Sequence, residues 1–273
     1  MDAQKPPMIS LTTDYGVQTQ KIAGMRGAIF DVCPHAYVVD LMHGLPDFDL
    51  VVAARTMETA GSLPVGVHVC VVDPAIGVKR RALAILTGRG DVLVGPDNGI
   101  LLPATRFLGG IRKIVEITNG RFTRQPVSPN FHGRDVFAPA AAHIANGVKL
   151  EEFGREVTAS ELAVAPYDEA VRKDGGLVAT VIHVNKFGSV HFNVTREVAR
   201  ETGLVPGGKV IVEINGETAI VPFGEKFGDV LMGAEVMFYD DYGRIEVGVN
   251  QGSFAGRHRV RVGHIARLSK EGG

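Results

Sequence analysis

The stretch MISLTTDYGVQTQKIAGMRGAIFDVCPHAYVVDLMHG, residues 8–44, decides the fold. An apolar run at 8–11 ends in TTDYG at 12–16, residues 20–33 carry apolar positions at helical spacing, and 36–41 is a second apolar run. Runs without polar alternation read as strands buried on both faces, and a helix between two of them is the βαβ unit of a parallel sheet. Further strand-like runs fall at 66–72, 82–87, 92–94 and 114–117, with helical patterns at 47–60 and 134–145. The expected class is α/β: an N-terminal α/β layered domain with a mostly parallel sheet over residues 1–160.

The texture changes after Gly147. Residues 161–176, with a proline-containing segment at 164–168 and a KDGG turn at 173–176, read as a linker. From 177 to 273, short strands at 178–184, 189–194, 209–214, 217–221, 245–249 and 258–262 are punctuated by Gly-Gly at Gly207 and Asn-Gly at Asn215, both tight-turn signals. A smaller C-terminal all-β barrel is expected there.

With 273 residues, 45% of them hydrophobic, the chain can bury a core without staples. Lys plus Arg number 29 against 30 Asp plus Glu, so no basic field draws nucleic acid or an anionic membrane, and neither is an expected partner. Cys33 and Cys70 sit among apolar neighbours and form no CxxC, which reads as buried reduced thiols in a cytoplasmic protein. There is no basic, apolar leader and no apolar run near the length of a membrane span, so a soluble chain is expected. GxGxxG, Walker, GxSxG and HExxH patterns are missing, and no His or Cys spacing suits zinc; no metal is expected.

Three segments carry the chemistry: TTDYG, VVDPAIGVKRR at 71–81 and FHGRD at 131–135. They place an acid, a guanidinium and an imidazole beside glycines, the groups that hold a water, polarise it and take its proton. Asp14 follows the first strand, where ligands gather in open α/β sheets, and reads either as an acceptor for ribose hydroxyls or as a cap of the next helix. Asp73 and Arg80 read either as site residues or as an ion pair that holds their loop. His132 faces a pocket or caps a helix, and Asn98 in GPDNG serves a ligand or only its turn.

Together with VVDLMHG (38–44), VGPDNG (94–99), FHGRDVFAPAAAHIANG (131–147), NKFGSV (185–190) and EVGVNQGS (246–253), these segments resemble, in order and spacing, the S-adenosyl-L-methionine hydroxide adenosyltransferases, relatives of the fluorinases and chlorinases. The resemblance implies an N-terminal α/β domain, a C-terminal β-barrel, and a homotrimer with active sites between the N-terminal domain of one subunit and the C-terminal domain of the next. It implies S-adenosylmethionine as substrate, no cofactor, and Asp73, Arg80 and His132 as the catalytic triad. Asp14 would hold the ribose hydroxyls, Phe48 and Phe131 would border the adenosine, and Asn98 would line the pocket. The halogenating relatives change the triad's acid and histidine and carry a serine where this chain has Gly133, so hydrolysis is the expected reaction.

The departures from the family are concentrated. Thr19 stands where relatives carry an acid, Asn185 and Ser189 stand for an Asp and an Asn, and Asp241 and Tyr242 replace a polar serine pair. In the family, several of these positions contact the methionine tail or the adenine. Asp240 or Asp241 is therefore expected to supply the charge for the methionine ammonium. The alternatives are hydrolysis of a different adenosyl ligand, or an adenosine- or nucleotide-binding module in which the triad is a remnant.

Overall fold

The computed structural model describes residues 6–74 and 80–272. The chain divides between Pro166 and Tyr167 into two compact units, a boundary inside the span read as a linker. Part of that span, β7 (Val171–Lys173), is already a strand of the second unit.

In the first unit, β1 (Met8–Thr13), β2 (Tyr37–Met42), β3 (Val67–Val71), β4 (Ala82–Thr87), β5 (Val92–Pro96) and β6 (Ile111–Glu116) form one sheet in the order β2-β1-β3-β5-β4-β6. The pairs β1–β2, β1–β3 and β3–β5 are parallel, while β4 runs antiparallel to both neighbours. β1 is buried along its whole length, its polar residues Ser10, Thr12 and Thr13 included, as a strand covered on both faces must be. From β1 the chain moves to β2 on one side and then crosses to β3 on the other. The carboxyl ends of β1 and β3 therefore flank a topological switch point, the crevice where open α/β sheets bind ligands.

Helix α1 (Gln20–Val32) starts at Thr19, whose hydroxyl accepts from Lys21 N at 3.3 Å, and buries Ile22, Met25, Ala28 and Ile29 along one stripe. Helix α2 (Leu50–Met57) is capped by Asp49 through Val52 N at 2.9 Å. A short helix, α3 (Leu102–Phe107), went unread in the sequence because Pro103 and a six-residue length hide its period. The helix expected at 134–145 is composite: residues Gly133–Phe137 form a wide π turn and only Ala138–Ala145, α4, is regular. Pro139 has no N–H to give to the Asp135 carbonyl, which instead accepts from Arg124 N at 2.7 Å. The alanines of α4 let it pack closely against α1, and Asn146 Nδ2 donates to Val32 O at 2.7 Å to tie the two helix ends together.

The second unit is an antiparallel, nearly closed barrel-like sheet. Its strands β8 (Gly176–Val184), β9 (Val190–Thr195), β10 (Lys209–Ile214), β11 (Glu217–Pro222), β12 (Glu235–Tyr239), β13 (Arg244–Val249) and β14 (Ile265–Lys270) run in the order β11-β10-β14-β8-β9-β13-β12. A Phe223–Met237 bridge brings the two outer strands together. The Asn215–Gly216 and Asp174–Gly175 turns have left-handed backbones at both residues, which suits the twist of a two-residue hairpin. The strand expected at 258–262 is absent. Ser253 caps a helix, α5 (Phe254–His258), that ends at left-handed Arg259, and the true last strand is β14. The alternation of RVRV imitates a strand, but His258 is held by Glu217 at 2.7 Å and Glu235 at 2.8 Å, fixing the segment as a helix end. Arg244 is fully buried and is held by Glu169 through bonds of 3.0 and 2.9 Å. Cys33 and Cys70 are both free and buried, and no described helix is long and apolar enough to cross a membrane.

One buried relay crosses the middle of the first sheet. His68 on β3 bonds Ser10 Oγ on β1 at 2.8 Å through Nδ1 and Asp91 Oδ1 beside β5 at 3.1 Å through Nε2. Arg89 clamps the same carboxylate at 2.7 and 2.9 Å and reaches the carbonyls of Ala60 and Gly61. Burial works against the Asp91 charge, but bonds from His68, Arg89 and Gly66 outweigh it and hold the carboxyl well below the usual range. Asp91→Ala leaves His68 buried without its acceptor and is expected to cost about 3–5 kcal/mol in urea unfolding at pH 7. Because the folded pKa is depressed, this stabilisation is complete above the ordinary carboxylate pKa of about 3.9 and fades as pH falls, so variant and wild type should converge in acid.

Candidate active site

The loop after β1 is pinned by its neighbours before any ligand is considered. Thr13 Oγ1 bonds His43 Nδ1 at 2.9 Å and accepts from Tyr15 N at 3.2 Å, while left-handed Gly16 donates to His43 O at 2.7 Å. Asp14 does not cap α1, since Thr19 does. Its carboxylate accepts from Phe48 N at 3.1 Å, and Phe48, 59% exposed as a residue, holds a left-handed backbone (φ 62°). A large aromatic in that conformation is strained, and such strain concentrates at ligand clamps.

At the carboxyl end of β3, Asp73 is 4% exposed and paired with the Arg80 guanidinium. Residues 75–79 between them lie outside the described residues. Burial lowers the Arg80 pKa somewhat, and its Nε and Nη1 have no hydrogen-bond partner among the described residues. Asn98 is committed locally: its Nδ2 donates to Val72 O at 2.9 Å and so fixes the residue before Asp73. Gly99 is obligatory, because a β-carbon there would lie 2.0 Å from Val164 O.

The third element is the entry to the π turn. The Phe131 ring meets Tyr15 edge-on at 5.9 Å, and the Arg134 guanidinium lies over it, 4.9 Å from the ring centre. Asp135 is fully buried, holds Arg134 at 2.6 and 2.8 Å, and accepts from Ser128 N at 2.8 Å, which locks the turn. His132 precedes Gly133. Burial lowers its pKa first and the Arg80 charge lowers it further, against a smaller opposing effect of Asp135. The ring is therefore neutral at pH 7 and able to accept a proton. The switch point thus gathers Asp14, Phe48, Asp73, Arg80, Phe131 and His132, with Asn98 as a support.

The C-terminal positions fall in two places. Asn185 and Ser189 line a hollow of about 550 Å³ with Phe187, Phe227, Asn250 and Gln251. Asn185 Oδ1 accepts from Phe187 N at 3.0 Å and Ser189 N at 3.1 Å, so its carbonyl oxygen shapes the loop. Asp241 and Tyr242 instead sit on the β12–β13 turn. Asp240, which the sequence offered as an alternative to Asp241, is buried and committed to Tyr242 N at 3.0 Å, Arg244 N at 2.9 Å and His191 Nδ1 at 3.0 Å. Phe187 and Gln251 lay within quoted motifs and Phe227 outside them; none was singled out, because aromatic and amide side chains carry no pattern that separates wall from core.

A fold with a switch-point site of this composition defines a class, and family models establish it: SAM hydroxide adenosyltransferase N-terminal domain matches residues 9–154 and the C-terminal domain matches 179–267. The chain belongs to the SAM hydroxide adenosyltransferase family. It is 36% identical over 264 residues to a protein of Salinispora tropica named (R)-S-adenosyl-L-methionine hydrolase, covering 96% of this chain and 98% of that one. A fluorinase of Nocardia brasiliensis is more distant, 25% identical over 285 residues, covering 94% and 95%. A crystal structure of an uncharacterized conserved protein from Thermotoga maritima superposes with a TM-score of 0.88 at 27% identity, covering 96% of this chain and all of that one.

The His132 ring is expected to titrate below the ordinary histidine value of about 6.5. Replacing Arg80 with Gln removes a nearby positive charge and should move that midpoint upward, as followed by the imidazole proton resonances.

Proposed function

We propose that this chain hydrolyses S-adenosyl-L-methionine to adenosine and L-methionine, with water attacking the ribose 5′ carbon. The observation that carries the reading is the Asp73–Arg80 pair beside a neutral His132 at the β1/β3 switch point. The sulfonium leaves as a neutral thioether, so the reaction requires no general acid and no cofactor. The difficulty is the nucleophile. Water has a pKa of about 15.7 and histidine about 6.5, a gap of roughly 9 units that makes full prior deprotonation cost on the order of 12 kcal/mol. The depressed pKa of His132 widens that gap. Proton transfer to His132 therefore accompanies attack, while Arg80 stabilises the charge developing on the oxygen and Asp73 holds Arg80 in place.

Substrate binding follows the same assignment. Asp14 spends one bond on Phe48 N and keeps lone pairs for ribose hydroxyls, and Phe48 and Phe131 supply faces for the adenosine. The family resemblance supports a homotrimer in which the hollow of one subunit's second unit serves the first unit of its neighbour, and a cytoplasmic enzyme. Because Asp240 is committed internally, exposed Asp241 is the better partner for the methionine ammonium.

Incubation with S-adenosylmethionine followed by chromatography should yield adenosine and methionine in equal amounts. His132→Ala should lower kcat by roughly 10²–10⁴-fold and retain adenosine binding. Adenosine binding by wild type without turnover would instead identify a nucleoside-binding module.

A further inference from the structure

Tyr15 has no role in the triad or in the ligand contacts above, yet the site is built around its hydroxyl. A β-carbon on Gly133 would stand 2.6 Å from Tyr15 Oη, 3.3 Å from its Cε2 and 3.2 Å from Met25 Sδ. The phenol therefore fills the space that a side chain at 133 would occupy, directly beside His132. Its ring is fixed on several sides: Phe131 lies edge-on at 5.9 Å, the Lys21 ammonium stands 4.8 Å from the ring centre, and the backbone is tied to Thr13 Oγ1 at 3.2 Å. None of the described residues takes a hydrogen bond from the hydroxyl at its tip. The Arg80 charge acts on the phenol, opposing the rise in its pKa that burial causes.

From this geometry we infer that the Tyr15 hydroxyl is a further catalytic group, donating a hydrogen bond to the attacking oxygen alongside Arg80. The inference rests on the hydrolase reading above. Burial, with the Asp14 charge adding to it, pushes the phenol up from its usual value near 10, so it keeps its proton throughout the working range. It cannot compete with His132 as a base. With the phenol and Arg80 converging on one lone pair of the oxygen, the other lone pair is free to attack the 5′ carbon, and the proton that leaves is the one directed at His132. Oxygen–carbon bond formation, carbon–sulfur cleavage and proton transfer to the imidazole balance without a further reactant, and the phenol returns unchanged.

Tyr15→Phe removes the donor and preserves the ring that packs on Phe131. It should lower kcat about 10²–10³-fold, the range for loss of one donor to a developing oxyanion, with KM for S-adenosylmethionine and the melting temperature nearly unchanged. The acid limb of the pH profile, which reports His132, should stay in place; a shift of that limb would indicate displaced neighbours and overturn the assignment. Gly133→Ala in the wild-type background should also lower kcat, because the added methyl displaces the hydroxyl. In the Tyr15→Phe background the same change should cost little more, a non-additivity expected of groups sharing one space. Wild-type turnover with Tyr15→Phe within twofold of it in kcat would refute the role of Tyr15 and leave the hydrolase reading standing. No adenosine release by wild type would remove that reading itself.

Discussion

The close approach of the Tyr15 hydroxyl to Gly133 is the contact on which the arrangement of the site depends. Residue 133 opens the π turn, and a side chain there would collide with the Tyr15 hydroxyl and crowd Met25, a buried residue of α1. Glycine lets the turn settle onto the loop after β1. That places His132 and Phe131 next to the strand end bearing Asp14 and within electrostatic reach of Arg80 at the end of β3. The buried Asp135, satisfied by Arg134 and Ser128, prevents the turn from drawing away. The wide turn is itself a consequence of Pro139, so a missing backbone donor and a missing side chain together position a titratable ring.

The molecule also contains a constellation that imitates a nucleophilic triad and is not one. Ser10, His68 and Asp91 are bonded in a line, but each is fully buried, Ser10 on β1, His68 on β3 and Asp91 just before β5. Their bonds join β1, β3 and β5 and have no reacting group to meet. At the switch point the acid and cation are also paired, but Arg80 keeps two buried nitrogens without partners among the described residues, and the neighbouring imidazole is kept neutral by burial and by that same cation. What separates the two clusters is residual hydrogen-bonding capacity at a strand end, not the residue types.

Much of this was legible in the sequence. Mostly apolar runs marked β1 and β3, because strands covered on both faces carry few polar residues and must satisfy those they have, as Ser10 and His68 satisfy each other; the motifs fell at strand ends because the βαβ pattern put them there. The C-terminal end was misread, since RVRV alternates without forming a strand; long-range bonds from His258 to Glu217 and Glu235 decide that segment, and no local pattern reports them. Strand β12 was missed because Glu235–Tyr239 follows a run of exposed apolar residues that blurs its period. In the site, the charged groups were found because an acid, a guanidinium and an imidazole stand beside glycines in three short motifs. Tyr15 was passed over because a tyrosine beside a quoted aspartate looks like packing until its hydroxyl is located.

Several polar residues that resemble ligand contacts turn out to spend their groups on the fold. Asn98 donates to the Val72 carbonyl, Asn185 accepts two loop amides, and Thr19 caps α1. These uses are not idle for function: Asn98 fixes the residue before Asp73, and Asn185 sets the loop that carries Phe187 and Ser189 into the wall of the hollow. In the second unit Asp240 is spent in the same way, on Tyr242 N, Arg244 N and His191 Nδ1, whereas the neighbouring Asp241 is exposed on the β12–β13 turn. A carboxylate already satisfied by the fold has little left to offer a cation, so of the two adjacent acids only the exposed one keeps its lone pairs for a ligand.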